Sequence, residues 1–532
     1  MTFRLQNRLR IAASGARDRG PARAGGSTDS MIMSENGEPA DRRVAYNVVV
    51  VLEPDTCYRA LATRDARFDG CFFVAVSSTG IYCRPVCPVK MPKREHCIFF
   101  PSAAAAEASG YRSCLRCRPE LAPGLAGIDA GHRLARSAAS LIEDGAVNEI
   151  GVEGVARSLG VTGRHLRRVF RGEFGVSPIR FAQTQRLLLA KRLLTDTALP
   201  VTDVAFAAGF NSLRRLDGLF RERYRFSPRR IRKLPRAAPP RDAMVFDLSY
   251  RPPYDWDALL AFLAARSVSG VDGIERSSYR RIVRIVQNGR AHAGWIEITP
   301  HHRKRAMRVV ASASLGKVIP PLLSRVKHLL DLSCDPTPIG RALGPLAAAH
   351  PGLRVPGAFD GFELAVRAVL GQQVSVAAAR TLAGRVAAAF GSRVESPFEA
   401  LGTAFPPAER VASLEIAQLV RLGILRSRAR TIRELAKLVS EGAIILTPGI
   451  GVAQTIEKLQ TIAGIGGWTA QYIAMRALAW PDAFPHTDLG VMNALGERNP
   501  KRVLATAEAW RPWRAYAVMH LWMAGSSRGS LR

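Results

Sequence analysis

The chain has 532 residues, of which 47% are hydrophobic, and this length and composition support several domains with cores of their own. Its 76 Lys and Arg residues outnumber its 44 Asp and Glu residues, and the formal net charge of +32 favours a polyanionic partner such as DNA or RNA. No apolar run is long enough to span a bilayer, so the composition excludes a membrane protein, and we expect a cytoplasmic location.

The N-terminal segment is rich in Arg, Gly and Ser and almost free of aromatic residues, which is typical of disorder. It has no long apolar stretch, and this argues against an export signal. Translation could start at Met1, Met31 or Met33, and the sequence leaves these starts open. We therefore predict that residues 1–45 are a disordered or untranslated extension.

Four of the eight cysteines form two close pairs, Cys83 with Cys87 and Cys114 with Cys117. Two such pairs separated by a loop have the ligand spacing of a tetrahedral zinc site. A disulfide framework is less favoured, because the chain shows no secretory signal and a reducing compartment is expected. A zinc ion that only stabilises a small core stays open. The remaining cysteines are expected to be small buried or incidental residues, namely Cys57, Cys71, Cys97 and Cys334.

The segments around these cysteines, Ser78–Pro88 and Tyr111–Pro119, resemble the zinc domain of the Ada family of methyl-acceptor proteins. The resemblance implies that Cys83 is both a zinc ligand and a nucleophile that removes methyl groups from DNA phosphotriesters. Zinc keeps a thiol deprotonated, and the thiolate is the nucleophilic form. Methylation would remove one negative charge from the site and so strengthen DNA binding. Further positions that match the family near the reactive sulfur or DNA are Thr79, Arg116 and Lys90. Lys90 also fits a solvated loop.

Helical periodicity begins after a linker that contains Gly and Pro. Two helix-turn-helix units are predicted, with turns at Gly160 and Gly209, where glycine lets the helices cross steeply and presents the second helix to the major groove. With the spacer helix Phe181–Leu194 and the closing Phe226–Pro228, the units resemble the paired domain of AraC-type regulators. Basic residues of the second helices that could bind DNA include Arg164, Arg168 and Arg214. A solvated face or simple phosphate contacts would also explain them, so no base contact is assigned.

From Met244 to about Lys327 the chain mixes strand and helix patterns, and mainly helical patterns follow. The run Leu459–Ala470 predicts a helix, a glycine-rich hairpin and a second helix. Gly464 and Gly466 would let backbone N–H groups approach a DNA phosphate without obstruction by side chains. The glycines could also be merely structural.

Asp488 follows this hairpin within Phe484–Gly490, and the combination resembles the helix-hairpin-helix DNA glycosylases. Matches at Ala365–Gln372 and Trp510–Ala517 indicate the AlkA-type alkylpurine glycosylases, and this resemblance covers nearly everything from Met244 onward. It implies that Asp488 stabilises an oxocarbenium-like sugar and orients or deprotonates the attacking water. Asp488 could also cap a helix, and the two roles are compatible.

Family members that also cut the DNA backbone have a lysine where this chain has Trp468, because a lysine amine is needed for a Schiff base with the sugar. The resemblance therefore implies hydrolysis without strand cleavage. Alkylated purines such as 3-methyladenine are cationic, and an aromatic pocket can favour them by cation–π attraction. The positions that match the family's pocket are Trp468, Tyr472, Trp522 and Phe262. Phe262 also fits ordinary core packing.

Two positions depart from the AlkA pattern. Leu489 stands where the family has an aromatic residue, which leaves the range of substrates open. Gln373 stands where the family has the apolar wedge that fills the vacated base stack, and this could change how the gap is filled. No Pro-Cys-His-Arg motif, the signature of the second methyl-acceptor domain of Ada proteins, occurs in the chain.

The resemblances together predict a multidomain, mainly α protein with α+β parts and one Zn²⁺ ion. The expected domains are the zinc domain over 46–122, the double helix-turn-helix over 130–234, an α+β subdomain over 243–330 and an all-α helix-hairpin-helix glycosylase domain over 331–532. The expected partners are double-stranded DNA, both damaged and promoter, and RNA polymerase, with the protein acting as a monomer.

We expect two chemistries and a regulatory role in the response to DNA alkylation. Release of alkylated purines would be catalytic, whereas methyl transfer to Cys83 would be stoichiometric and would regulate transcription. The alternative is a transcription regulator whose glycosylase domain is inactive and only binds DNA.

Overall fold

The computed structural model describes residues 53–123, 130–197, 199–232, 243–449 and 451–529. The first part of these described residues forms a small mixed sheet with two helices. Its elements are α1 (Pro54–Ala62), β1 (Phe73–Val76), β2 (Ile81–Cys83), β3 (Cys97–Phe100), α2 (Ala103–Ala108) and β4 (Arg112–Ser113). The strand order is β3-β1-β2-β4, and β2 and β4 run parallel. The predicted N-terminal extension, residues 1–45, lies outside the described residues.

A helical segment comes next and contains both predicted helix-turn-helix units. Its helices are α3 (Ala130–Glu143), α4 (Ala146–Ser158), α5 (Gly163–Phe174), α6 (Pro178–Asp196), α7 (Val201–Ala207), α8 (Leu213–Tyr224) and α9 (Pro228–Arg232). Gly160 and Gly209 lie in the two turns with φ of +67° and +83°. At Gly209 the positive φ disfavours a residue with a side chain, and a Cβ atom would also displace the amide of Asn148, which would lie 2.4 Å away.

The spacer helix α6 is longer than the sequence predicted. It begins at Pro178, because the side chain of Ser177 accepts a hydrogen bond from Arg180 N and proline suits the first helical turn. It ends at Asp196 rather than at Leu194. Along its length α6 contacts α2, the helices of the helix-turn-helix units and the strand β5 (Ala243–Ser249) that follows.

An antiparallel five-stranded sheet opens the remainder of the chain. Its elements are β5 (Ala243–Ser249), α10 (Trp256–Arg266), β6 (Asp272–Glu275), β7 (Ser278–Gln287), β8 (Arg290–His301), β9 (Ala306–Ser312) and α11 (Ile319–Leu329). The strand order is β5-β9-β8-β7-β6. Alternate residues of β5, namely Met244, Phe246 and Leu248, are buried, as a period of two requires for a sheet with one covered face.

Helices dominate the C-terminal part. They are α12 (Pro336–Leu343), α13 (Gly361–Leu370), α14 (Val376–Phe390), α15 (Ala408–Ala412), α16 (Ile416–Val420), α17 (Arg426–Ser440), α18 (Val452–Gln460), α19 (Gly467–Arg476), α20 (Leu489–Leu495), α21 (Pro500–Ala507) and α22 (Arg514–Gly529). Two short strands, β10 (Ser392–Arg393) and β11 (Thr403–Ala404), pair between α14 and α15. A continuous apolar core joins most of these helices.

Buried polar contacts connect the cysteine-rich segment to the parts that follow. Nζ of Lys191, on α6, donates to the carbonyl oxygen of Cys114 at 3.0 Å and pairs with Glu120 at 2.8 Å. Arg84 forms a buried ion pair with Asp69 and reaches the hydroxyl of Ser249, on β5, at 3.3 Å. All described residues belong to one compact unit. The cysteine-rich segment therefore contacts both the helix-turn-helix segment and the five-stranded sheet directly.

Within the described residues, no helix combines the length and the apolar character that a bilayer crossing requires.

Candidate functional site

The predicted hairpin lies between α18 and α19 and contains a glycine whose backbone and surroundings disfavour any larger residue. Gly464 has φ of +93°, and a Cβ atom there would lie 2.4 Å from Oγ1 of Thr431. Thr431 in turn donates a hydrogen bond to the carbonyl oxygen of Ala463 at 2.7 Å. Gly466 is different, because a Cβ atom built there meets nothing within 4 Å. Its lack of a side chain is therefore not required by packing inside the protein.

Asp488 caps α20 and receives three N–H donors on its carboxylate. Oδ1 accepts from the backbone N–H of Val491 at 3.0 Å and from Nε1 of Trp522 at 2.8 Å. Oδ2 accepts from Nε1 of Trp468 at 2.8 Å. Trp468 reaches it because α19 starts at Gly467, directly after the hairpin. The hairpin, α20 and α22 thus fix one carboxylate between two indole rings.

A cavity of about 510 Å³ opens in front of this carboxylate. Asp488, Trp468, Tyr472 and Trp522 line it, so the structure brings these four predicted residues together. The rings of Trp468 and Tyr472 stack with centroids 5.4 Å apart and planes at 14°. Tyr472 and Trp522 lie 6.3 Å apart at 45°. Three electron-rich rings therefore contribute to the wall beside the carboxylate.

Phe262 lies behind this wall rather than in it. It is 6% exposed and stacks on Trp522 with centroids 6.0 Å apart and planes at 15°. It is not among the residues that line the cavity. The Phe262 side chain packs behind Trp522, in agreement with the alternative that Phe262 is an ordinary core residue.

The cavity wall contains five arginines that were not predicted as site residues, namely Arg266, Arg281, Arg367, Arg380 and Arg476. The guanidinium of Arg266 lies 3.7 Å from the ring centroid of Phe262, and Arg476 donates to the hydroxyl of Tyr472 at 2.7 Å. Burial raises the pKa of Tyr472, but the neighbouring guanidiniums of Arg476 and Arg266 outweigh it, so the pKa lies below its ordinary value. Each arginine follows an aromatic residue by one helical turn, a spacing too common on helices to identify either of them from the sequence.

Gln373 lies in the loop between α13 and α14 and is exposed. Its backbone has φ of +52°, in the left-handed region. Leu489, the other departure from the AlkA pattern, begins α20 next to Asp488 and is 73% exposed.

The four cysteines converge because their two strands run side by side. The parallel register of β2 and β4 pairs Tyr82 with Ser113. The next residues in the chain, Cys83 and Cys114, therefore lie at the same end of the two strands. The sulfur atoms of Cys83, Cys87, Cys114 and Cys117 all lie within 4.8 Å of one another, and all four residues are buried.

This geometry fits a tetrahedral zinc ion. Four sulfurs bound to one zinc lie about 3.8 Å apart, a distance set by the usual Zn–S bond. Backbone N–H groups add two hydrogen bonds to sulfur, from Arg84 to Cys117 at 3.4 Å and from Arg116 to Cys114 at 3.3 Å. Such donors favour the thiolate form of the cysteines. Among the described residues, no other group of His, Cys, Asp or Glu converges in this way.

The remaining predicted DNA-binding residues lie on the surface. Thr79, Lys90 and Arg116 are exposed on loops of the cysteine-rich segment. The arginines of the second helices in the two helix-turn-helix units are exposed as well, namely Arg164, Arg168 and Arg214. Their positions fit contacts with DNA and equally fit a solvated face.

Four family models match the chain in order. They are described as the metal binding domain of Ada (residues 56–120), a helix-turn-helix domain (155–234), the AlkA N-terminal domain (245–360) and the HhH-GPD superfamily of base excision DNA repair proteins (366–509). These matches confirm the predicted fold class and the interaction with DNA. Together with the four converging thiols, they confirm the predicted single Zn²⁺ ion.

Curated relatives match either the whole chain or its parts. The "Probable bifunctional transcriptional activator/DNA repair enzyme AlkA" of Mycobacterium tuberculosis is 38% identical over 483 residues, which cover 88% of this chain and 96% of that protein. The "DNA-3-methyladenine glycosylase 2" of Escherichia coli is 38% identical and covers 52% of this chain and 96% of its own length. The Escherichia coli "Bifunctional transcriptional activator/DNA repair enzyme Ada" is 34% identical, with 30% of this chain and 43% of that protein covered.

Proposed function

Because the chain belongs to the family of AlkA-type bifunctional transcriptional activators and DNA repair enzymes, we propose that it performs two reactions on alkylated DNA. At Asp488 it hydrolyses the bond between deoxyribose and an alkylated purine such as 3-methyladenine. At Cys83 it accepts a methyl group from a DNA phosphotriester. The observation that carries the first reaction is the Asp488 carboxylate, held by three N–H donors at the wall of an aromatic cavity.

Base release follows from the properties of this cavity. A cationic alkylated purine that leaves the DNA stack is attracted to the faces of Trp468, Tyr472 and Trp522. As the N-glycosidic bond breaks, its electron pair leaves with the base, and positive charge develops on the sugar. The Asp488 carboxylate stabilises that charge, orients the water that adds to the sugar carbon and accepts the proton that this water loses. Trp468 offers no amine, so no Schiff base forms and the DNA backbone stays intact.

The test of this reaction is Asp488→Asn. Asparagine caps a helix as well as aspartate does, so α20 keeps its N-cap while the negative charge is lost. We expect release of free 3-methyladenine from methylated DNA to fall by about 10²-fold or more, the usual effect of losing a charge at a reacting centre. The melting temperature of the variant serves as the control for folding.

Two other outcomes of this test would contradict the proposal. If Asp488→Asn still releases 3-methyladenine at the wild-type rate, the Asp488 carboxylate is not needed for base release. A wild-type protein that binds methylated DNA but releases no base would favour the alternative, a regulator with an inactive glycosylase domain.

Methyl transfer relies on the thiolate of Cys83. Zinc, when bound, keeps the cysteines deprotonated at neutral pH. The Cys83 sulfur forms a bond to the methyl carbon while the bond between that carbon and the phosphate oxygen breaks, and the electron pair stays on the oxygen. The products are an ordinary phosphodiester and a methyl thioether, so each protein molecule reacts once. Thr79, Lys90 and Arg116 are exposed, lie near the four cysteines in the sequence and are suited to hold the DNA backbone.

Peptide mapping tests the methyl acceptor. After incubation with DNA that carries labelled methyl phosphotriesters, we expect label on the peptide that contains Cys83 and none after Cys83→Ser. Cys71→Ser is the matched control, because Cys71 lies in the same segment but outside the cluster. Zinc content is measured on each variant. Label on another residue, or none on a zinc-loaded wild type, would leave zinc with a purely structural role.

Methylation also acts on transcription in this proposal. Loss of one thiolate charge reduces repulsion from DNA phosphates, and Arg164, Arg168 and Arg214 then hold the promoter at their helices. The protein acts as a monomer and contacts RNA polymerase from the promoter. Promoter affinity that fails to rise after methylation of Cys83, measured at fixed salt, would contradict this regulatory step.

A further inference from the structure

The hydroxyl group of Tyr472 is held by positive charge at the wall of the cavity. Nη1 of Arg476, one turn further along α19, donates to its oxygen at 2.7 Å. The guanidinium of Arg266, the last residue of α10, is close enough to act on the same oxygen. Tyr472, Arg266 and Arg476 all line the cavity that Asp488 also lines. The phenol therefore shares one cavity with the carboxylate and has two cations beside it.

These two guanidiniums have no carboxylate partner within the described residues. Besides the phenol, Arg476 donates only to two backbone carbonyl oxygens, and it is 4% exposed. Arg266 donates to the carbonyl oxygen of Phe262 at 3.4 Å and lies against its ring. Burial lowers the pKa of both groups. By contrast, Arg367 of the same wall pairs with Glu363 at 2.8 Å. A buried cation without an anion is costly, so such a pair is expected where negative charge arrives during a reaction.

The Tyr472 hydroxyl also has a proton to donate. Among the described residues, its oxygen accepts a hydrogen bond, but no acceptor for its own proton is found. Its two charged neighbours cannot serve, because a guanidinium is a donor only. The hydroxyl of a buried tyrosine usually has a partner. An acceptor atom on a molecule inside the cavity would supply it.

The charge of the damaged base decides whether such an acceptor develops. A purine that is alkylated on a ring nitrogen is cationic, so it takes the electron pair of the broken bond and leaves as a neutral molecule. A neutral damaged purine such as hypoxanthine takes the same electron pair and leaves as an anion. Its transition state carries negative charge on the base as well as positive charge on the sugar. Asp488 is complementary to the second charge, and the hydroxyl with its two guanidiniums is complementary to the first.

We propose that Tyr472 is a catalytic residue for neutral purines, whose hydroxyl donates a hydrogen bond to the departing base while Arg266 and Arg476 position and polarise it. The inference rests on the proposed glycosylase function. The bond between the sugar carbon and the ring nitrogen breaks, and its electron pair stays on the purine. The Tyr472 O–H bond stays intact, and the purine anion takes a proton from water after it has left.

The test compares two duplexes that differ in the charge of one base. One contains hypoxanthine and the other 7-methylguanine, and both bases face cytosine. Single-turnover release is measured for the full-length wild type and for Tyr472→Phe, which keeps the aromatic ring and removes the hydroxyl. Tyr111→Phe is the matched control, because Tyr111 lies outside the cavity wall. Each variant is compared with the wild type on the same duplex, so the different pairing strengths of the two bases cancel.

We expect Tyr472→Phe to slow the release of hypoxanthine by about tenfold to 100-fold, the usual effect of losing one hydrogen bond to a developing negative charge. Release of 7-methylguanine should stay within about threefold of the wild type, which also shows that the variant is folded and active. Tyr111→Phe should match the wild type on both duplexes. Arg266→Met, which keeps an apolar stem against Phe262, should also slow hypoxanthine release selectively, by a smaller factor.

Three results would overturn the inference while leaving the glycosylase function intact. The first is equal slowing of both bases by Tyr472→Phe, which a purely structural role of the side chain would produce. The second is no slowing of either base. The third is a wild type that releases 7-methylguanine but no hypoxanthine. An Arg266→Met variant without selective slowing would remove Arg266 from the proposal. A wild type that releases no base from either duplex would overturn both the inference and the glycosylase function.

Discussion

In the proposed reaction, the behaviour of Asp488 depends on the hydrogen bonds that its two carboxylate oxygens accept. Trp468 and Trp522 each donate one indole N–H to it, from helices on either side of the cavity. A hydrogen bond to a charged group contributes about 1.5–3 kcal/mol, more than a neutral one. The two indoles therefore do more than stack against a purine. They also hold the carboxylate at the cavity wall, where the proposed reaction needs it.

Replacement of Trp522 by phenylalanine separates these roles. Trp522→Phe keeps an aromatic face in the wall but removes the N–H donor to Oδ1 of Asp488. We expect single-turnover release to slow by about tenfold or more, as one lost bond to a carboxylate implies, while the affinity for DNA changes little. Trp510→Phe is the control, because Trp510 lies outside the cavity wall. Equal rates for the two variants would show that the Trp522 N–H is dispensable.

At the scale of elements, the two glycines of the hairpin have different reasons to be glycine. Gly464 has a left-handed backbone and no room for a Cβ atom, whereas Gly466 has room inside the protein. A glycine that packing does not require is expected where the backbone approaches a ligand closely. We therefore propose that Gly466 belongs to the surface that meets a DNA phosphate.

The pair Gly464→Ala and Gly466→Ala tests this distinction. Gly464→Ala should destabilise the protein by about 1–3 kcal/mol, since the new Cβ atom meets Thr431 in a strained backbone. Gly466→Ala should leave the free energy of unfolding within about 0.5 kcal/mol of the wild type. It should nevertheless weaken DNA binding clearly in a titration. Normal DNA affinity for Gly466→Ala would contradict the proposed phosphate contact.

The contact between α2 and α6 contains a buried carboxyl group. Burial raises the pKa of Glu107 from 4.5 to about 7, although hydrogen bonds from Thr184 and Tyr82, each 3.1 Å long, oppose the rise. The folded protein thus holds this proton up to about pH 7, whereas the unfolded chain releases it near pH 4.5. The Glu107 contribution to stability therefore falls as the pH rises through this window.

Glu107→Gln removes this dependence on pH. Relative to the wild type, we expect its free energy of unfolding in urea to be higher at pH 8, by up to about 3 kcal/mol, and much less changed at pH 5. Comparison with the wild type cancels the pH dependence of zinc binding, which both proteins share. Glu95→Gln, at an exposed carboxylate of the same segment, should show no such difference. A gain that is equal at both pH values would contradict the buried proton.

Local patterns made part of the site predictable from the sequence. The spacing of the cysteines and the glycines of the hairpin lie within short segments, so the zinc site and the residues near Asp488 could be recognised. Arg266 and Arg476 could not, because an arginine one turn from an aromatic residue is common on any helix. Only the packing of α10 against α19 and α22 turns both guanidiniums toward one cavity.

At the scale of the whole molecule, contacts between distant segments could not be predicted from the sequence, because only the packing of the folded chain brings these segments together. The bonds from Lys191 to Cys114 and from Arg84 to Ser249 join segments far apart in the chain. Both residues lie in segments that the sequence analysis quoted, but neither was assigned a role there, because each resembles an ordinary surface charge in the sequence. These contacts join the zinc segment to the other parts in one compact unit, yet they reach no residue of the Asp488 cavity.

Removal of zinc should therefore separate the two reactions. A chelator that strips the four cysteines should abolish methyl acceptance and lower the melting temperature, since a structural zinc site contributes directly to folding. Base release should persist, because Asp488 and its three N–H donors need no metal. The measurement follows both activities during a zinc titration. Their loss in parallel would show that the cavity depends on the zinc segment.

The central claim is that one chain carries out two independent repair reactions, and one experiment tests it most directly. Purified protein is incubated with duplex DNA methylated by a labelled reagent, and label is followed on the protein and in free base within the same tube. The wild type should give both free 3-methyladenine and label on Cys83, and Asp488→Asn should give label on Cys83 alone. Free base from Asp488→Asn, or a wild type that yields only one of the two products, would contradict the account.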